Sequence, residues 1–199
     1  RNKTVTIDQP EWLYWIGRQG ATLTIRVEVT KRSGAISVIS RGSGNVSLGQ
    51  VYAIKVGYNQ LNLPDIPDDP IVSYKVALVS GADVASEVIT YNVTGNCGIQ
   101  ERYFLFGNSL GGCDTVRATG KFKSTIDTTA QEAERLVTAA SLQEGRGQFF
   151  QYNTRGTNSY EGSVGFRSAA YIAYLQELLL SPEAWIVDTA GLRFNPIII

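Results

Sequence analysis

The stretch from Thr22 to Thr30 alternates without interruption, with Leu23, Ile25, Val27 and Val29 on one side and Thr22, Thr24, Arg26 and Glu28 on the other. A period of two sends successive side chains to opposite faces, so this segment reads as a strand with one face in a core and one in water. Ser33-Gly34 supplies a turn, and Ala35 to Ile39 returns as the hairpin partner. Gly42-Ser43-Gly44 is expected to break the chain before a β-rich stretch from Val46 to Tyr58. Thr4–Ile7, Glu11–Ile16, Ile71–Val79 and Val84–Val93 are further strands, the last two joined by a Ser80-Gly81-Ala82-Asp83 turn. Leu63 to Pro70 holds three of the six prolines and three aspartates, which marks an ordered loop. Short strands with a turn roughly every 8 to 12 residues are the pattern of a β-sandwich, complete here by about Val93.

The second half opens on a Thr94-Gly95-Asn96 break. Arg102–Phe106 and Asp114–Lys123, the latter interrupted by Gly120, read as strands, as do Gln148–Tyr152, Ala184–Val187 and Arg193–Ile199. Asn153–Tyr160 is polar and is expected to be a loop, and Thr128–Ser141 fits helix or strand equally. One helix is expected over 168–180: Ser168 caps it, Leu175, Leu178 and Leu179 line one side, and Ser181-Pro182 ends it.

Composition enters the argument as a set of exclusions. The 199 residues include no His, which removes the commonest general base, every Ser-His-Asp or Cys-His arrangement and the usual zinc site. Gly107-Asn108-Ser109-Leu110-Gly111 matches the G-x-S-x-G elbow, but that motif must open a helix and find a His; a β-hairpin turn is the expected reading. Eighteen basic residues balance eighteen acidic ones, so no electrostatic docking to nucleic acid or membrane is expected, and Arg102, Tyr103 and Phe104 lack the basic stripe that base stacking uses. The longest apolar run, Ala169 to Leu180, is broken by Gln176 and Glu177 and falls short of the about 20 residues a span needs. Asp65, Asp68 and Asp69 offer oxygen ligands without the spacing of a known calcium loop. No cofactor and no metal are expected. The sequons at Asn2, Asn45 and Asn92 are too common by chance to assign a compartment.

Cys97 and Cys113 either form a disulfide, which would contribute about 3 kcal/mol through the unfolded state, or remain two separate buried thiols. Trp12, Tyr14 and Trp15 form the densest aromatic group; they fill a core and its rim or, with Tyr103, offer a platform for sugars beside the 153–160 loop. Pro196, Ile197, Ile198 and Ile199 make an uncharged, β-prone edge expected to pair with another chain. A chain that starts at Arg1 and contains no Met is expected to be a processed product or part of a longer one.

Several segments carry a resemblance. Ser86 to Val93 (SEVITYNV) is similar to the closing strand of an immunoglobulin- or fibronectin-III-like domain. Tyr103 to Gly120 (YFLFGNSLGGCDTVRATG) resembles an LF-x-NSLG-x-(D/E)T block of virion or tail structural proteins from phages and prophages of Bacteroidetes. Leu175 to Val187 (LQELLLSPEAWIV), followed by Asn195 to Ile199, resembles the ending of the same proteins, which normally continue further. The likeness covers the second half by motif and the first half by pattern alone. It implies a mainly β chain of two immunoglobulin-like β-sandwich domains, 1–95 and 96–199, the second with one helix. It further implies a non-enzymatic structural protein of a virion, tail or similar extracellular assembly, packed as a homo-oligomer or against neighbouring subunits. The alternative is a secreted carbohydrate-binding or adhesive module using Trp12, Trp15 or Tyr103.

Overall fold

The computed structural model describes residues 2–17, 20–64, 66–95, 101–134, 149–165, 169–188 and 193–197. The fold is mainly β and divides into two compact units, Arg1–Thr119 with Val164–Ile199, and Gly120–Ser163.

In the first unit, β1 (Asn2–Val5), β2 (Trp12–Ile16), β3 (Ala21–Lys31), β4 (Ile36–Val46), β5 (Val51–Lys55), β6 (Ile71–Ser80), β7 (Asp83–Val84) and β8 (Ile89–Val93) come from the first half of the chain. One sheet runs β1-β8-β6-β3-β4, with β7 on β6, and a second consists of β2 and β5. All pairings are antiparallel except β1 with β8. The alternation seen in the sequence supplies the core: Val27 and Val29 of β3 join Tyr74 and Val76 of β6 and Tyr91 of β8, while Leu13 and Ile54 cover them from the two-stranded sheet. Two sheets thus share one apolar interior, the arrangement that buries the hydrophobic faces of both.

The Gly42-Ser43-Gly44 segment does not end a strand. It runs inside β4, where Thr24 pairs with Ser43 and Ile25 with Arg41, so Gly42 is the extra residue of a bulge. Its φ of 53° is the left-handed value that glycine adopts without strain.

From the second half, β9 (Arg102–Gly107), β10 (Cys113–Ala118), β13 (Ala184–Asp188) and β14 (Arg193–Ile197) form an antiparallel sheet ordered β10-β9-β13-β14. The expected second sandwich is corrected here. Among the described residues a helix, α1 (Ala169–Leu180), and not a second sheet, covers one face of these strands through Tyr174, Leu175 and Leu178 against Phe106, Val116 and Ala184. Leu179 was expected on that side but is 64% exposed. At about 100° per residue the buried arc spans Tyr174 to Leu175, and Leu179 falls beyond its edge. The opposite face holds Tyr103, Leu105 and Val187, with Trp12 packed against them. The proposed cap Ser168 lies outside the described residues.

The second unit is a hairpin of β11 (Lys123–Glu134) and β12 (Phe149–Glu161). The polar stretch 153–160, expected as a loop, is continuous strand. A ribbon wet on both sides has no buried face, so no hydrophobic alternation marks it in the sequence. Of the ambiguous segment, 128–134 is strand and 135–141 lies outside the described residues.

Candidate interaction surfaces

The β11–β12 ribbon pairs Lys123 with Glu161 at one end and Glu134 with Phe149 at the other. Its register shifts between Thr129 and Gln131, where Asn153 takes a positive φ of 49°. Every residue of β12 is exposed, and so is every residue of β11 except Ala133. Ile126, Phe149, Phe150, Tyr152 and Tyr160 all stand in solvent. Phe122 stacks on Tyr160 at 5.7 Å, and Phe150 lies 6.2 Å from Tyr152. A two-stranded ribbon with no face on a core is marginal in water. Large exposed aromatics along it mark a surface that gains by being covered.

The terminal strand is a weaker candidate. β14 is the edge of its sheet, where Pro196 lies opposite Trp185 and has no N–H to offer a further strand. Ile197 is half-buried and packs into the cluster beneath the helix. Ile198 and Ile199 lie outside the described residues.

Trp12, Trp15 and Tyr103 do not form one platform. Trp12 packs on the four-stranded sheet, with Phe194 5.9 Å away, while Trp15 points from the other face of β2 into the sandwich beside Leu23, Val46 and Leu78. Tyr103 is buried; its hydroxyl lies 2.6 Å from the Thr6 Oγ1 and donates to the Glu101 Oε2 at 3.0 Å. An apolar cleft of about 300 Å³ opens between β4 and β5, lined by Leu23, Ile25, Val46, Tyr52, Ile54 and Leu78. Gly42 and Gly44 line it without side chains to fill it.

Cys113 carries a free thiol, and Cys97 lies outside the described residues. Asp69 caps a turn, its carboxylate accepting from the Ser33 amide at 2.8 Å and the Ser33 hydroxyl at 2.9 Å; these bonds hold its carboxyl below the ordinary range. Asp65 lies outside the described residues, among which no group of three metal-binding side chains occurs. No helix among them is long and apolar enough to cross a membrane. The Gly107–Gly111 segment is the β9–β10 turn, where Asn108 Oδ1 accepts from the Leu110 and Gly112 amides.

Sequence reasoning missed a polar seam within the first unit. Thr115 Oγ1 donates to the Pro10 carbonyl at 2.9 Å, Arg117 reaches Thr94, and Thr6 meets Tyr103. At its centre the Lys3 Nζ lies 2.9 Å from Glu11 Oε2 and 3.3 Å from Asp114 Oδ1. The first 94 residues and the β9–β10 hairpin are joined by these bonds. Lys3 and Asp114 are 111 positions apart, and no local pattern signals their meeting.

The seam makes alkaline stability measurable. Burial raises the Tyr103 phenol, assisted by Glu101, to about 12, and burial also raises Tyr14 and Tyr74. The unfolded phenols ionise near 10, so the unfolded state sheds protons first. The contribution of Tyr103 is fully present below that value and is lost between pH 10 and about 12. Tyr103→Phe should cost about 1–2 kcal/mol at neutral pH and flatten part of that alkaline fall, read by urea denaturation across the pH range.

Comparison with known proteins gives no match to this chain among family models, curated proteins or solved structures.

Proposed function

We propose that this chain is a non-enzymatic structural subunit of a virion, tail or similar extracellular assembly, working by subunit packing and strand pairing. The exposed β11–β12 ribbon supports this reading, because both of its faces are open to solvent and carry large apolar side chains whose further burial a neighbouring subunit would supply. It is the contact element, ahead of β14 with its proline. For the first half we propose an immunoglobulin-like domain over 1–95. The sheet order β1-β8-β6-β3-β4 against β2-β5 supports that reading, as does the parallel pairing of the first strand with the last.

Light-scattering mass and negative-stain electron microscopy on the purified chain test the function. Defined oligomers, tubes or rings are expected. A combined Phe150→Ser, Tyr152→Ser and Tyr160→Ser variant should stay monomeric at the same concentration. Its stability in urea should fall by about 1–3 kcal/mol, the worth of two aromatic pairs, and the variant should stay folded by circular dichroism. A wild-type chain that stays monomeric at high concentration, or a variant that assembles equally well, would overturn the proposal. Sugar binding lost on Trp12→Ala would favour the carbohydrate module instead.

A further inference from the structure

Lys3 of β1, Glu11 at the entry to β2 and Asp114 of β10 converge where little water reaches. Their side chains are 17%, 3% and 13% exposed. Glu11 is fixed from both sides. Its Oε1 accepts from Gln9 Nε2 at 2.6 Å and its backbone amide donates to Gln60 Oε1 at 3.0 Å. Asp114 is held by Asn108 of the β9–β10 turn, whose Nδ2 donates to Oδ2 at 3.3 Å. One ammonium thus contacts two carboxylates in a poorly hydrated site, where charged groups are expensive to keep.

We propose that Lys3 and Asp114 form an intramolecular amide bond, with Glu11 as the proton carrier, and that this crosslink joins the six-stranded sheet to the four-stranded sheet.

The geometry supplies each part of the step. Glu11 Oε2, in contact with Nζ, takes a proton from the ammonium and leaves a neutral amine. The amine lone pair attacks the Asp114 carboxyl carbon, whose Oδ1 is already 3.3 Å from Nζ. Asn108 donates to Oδ2 and stabilises the charge that builds on that oxygen. Glu11 hands its proton to Oδ1, the nitrogen passes a second proton through Glu11 to the same oxygen, the C–O bond breaks, and Oδ1 leaves as water while Oδ2 stays as the amide oxygen. Ammonium and carboxylate have become an amide and one water, nothing is oxidised or reduced, and Glu11 ends as it began. Fixing nucleophile and electrophile in contact replaces the unfavourable bimolecular encounter, and discharging Lys3 and Asp114 removes two poorly solvated charges. Burial also pushes the Glu11 carboxyl above its ordinary value, as a proton carrier requires. For Lys3, burial alone would lower the ammonium, but Glu11 and Asp114 outweigh it and raise it, so the amine forms only through proton transfer to Glu11.

The test is the intact mass of the denatured full-length chain, followed by tryptic mapping. The chain should weigh one water less than its sequence. An amidated Lys3 resists trypsin, so residues 2–18 should appear joined to residues 103–117 as one branched peptide. Lys3→Arg keeps a cation beside both carboxylates and should show the full sequence mass with two separate peptides. Asp114→Asn should still crosslink, now losing ammonia. Glu11→Gln should slow formation at least tenfold after refolding. A folded wild-type chain at full sequence mass would overturn the proposal, as would a water deficit that persists in Lys3→Arg. Crosslinking at an unchanged rate in Glu11→Gln would overturn the role given to Glu11.

Discussion

Tyr74→Ala should be among the most damaging single substitutions in the sandwich, costing about 3–5 kcal/mol, the range for emptying a buried aromatic site. Tyr74 is fully buried on β6, directly opposite Tyr91 of β8, and the two rings stack at 4.9 Å. Tyr58 meets it edge-on at 6.2 Å. Truncation therefore opens a void bounded by two other rings, and rings held in a sheet and a loop cannot all move in to fill it. A polar loss adds to this, because the Tyr74 hydroxyl donates to the Val56 carbonyl at 3.2 Å and alanine leaves that buried acceptor unpaired. Tyr74→Phe separates the two contributions. It keeps the ring and loses only the hydrogen bond, so about 1 kcal/mol is expected. Urea denaturation decides the matter through the shift in midpoint at constant slope. Equal costs for the two variants would mean that the hydrogen bond, and not the packing, holds this part of the core.

How much of this was legible in the sequence depended on whether a residue's environment was local. The alternation of Leu23 to Val29 is visible because one face of β3 is buried and the other wet, and burial writes itself into every second residue. The Leu63–Pro70 loop and the Gly107–Gly111 turn are visible because proline and glycine restrict the backbone wherever they stand. Gly42 misled for a related reason. Glycine marks both the end of a strand and a bulge inside one, and only the pairing of Ile25 with Arg41 distinguishes them. The start of β12 is legible in the apolar 149–152 stretch, but its 153–160 part left no strand signal because neither face of the ribbon is buried. Alternation along β2 sends Trp12 and Trp15 to opposite faces. That each face meets a different sheet depends on residues distant in sequence, Tyr103 and Val187 for Trp12 and Val46 and Leu78 for Trp15. The Lys3–Glu11–Asp114 cluster is the extreme case: two of its members lie near the start of the chain, and the third arrives only when β10 folds against them.

Gly57→Ala carries the second large effect, about 2–3 kcal/mol, even though the substitution adds only one methyl group. A Cβ at Gly57 would lie 2.7 Å from the Gln9 carbonyl oxygen, 2.7 Å from Gln60 Oε1 and 3.1 Å from the Glu11 amide nitrogen. Two of these three atoms are backbone and cannot rotate away. The third, Gln60 Oε1, accepts from both the Glu11 and Gly57 amides, so moving it breaks two hydrogen bonds at once. The Gln9–Glu11 segment is itself tied to β5 by the Val56 amide, which donates to the Glu11 carbonyl at 2.9 Å. Relief therefore requires shifting the buried strand entry that holds Glu11 against Lys3. Gly44→Ala is the control. Nothing lies within 4 Å of its added carbon, so the change should stay within about 0.5 kcal/mol. Near-equal stabilities for the two variants would show that the Gln9–Glu11 segment gives way freely. A large gap would show that it is held, and a displaced Glu11 should then also slow amide formation between Lys3 and Asp114, making Gly57 a positioning residue for that bond.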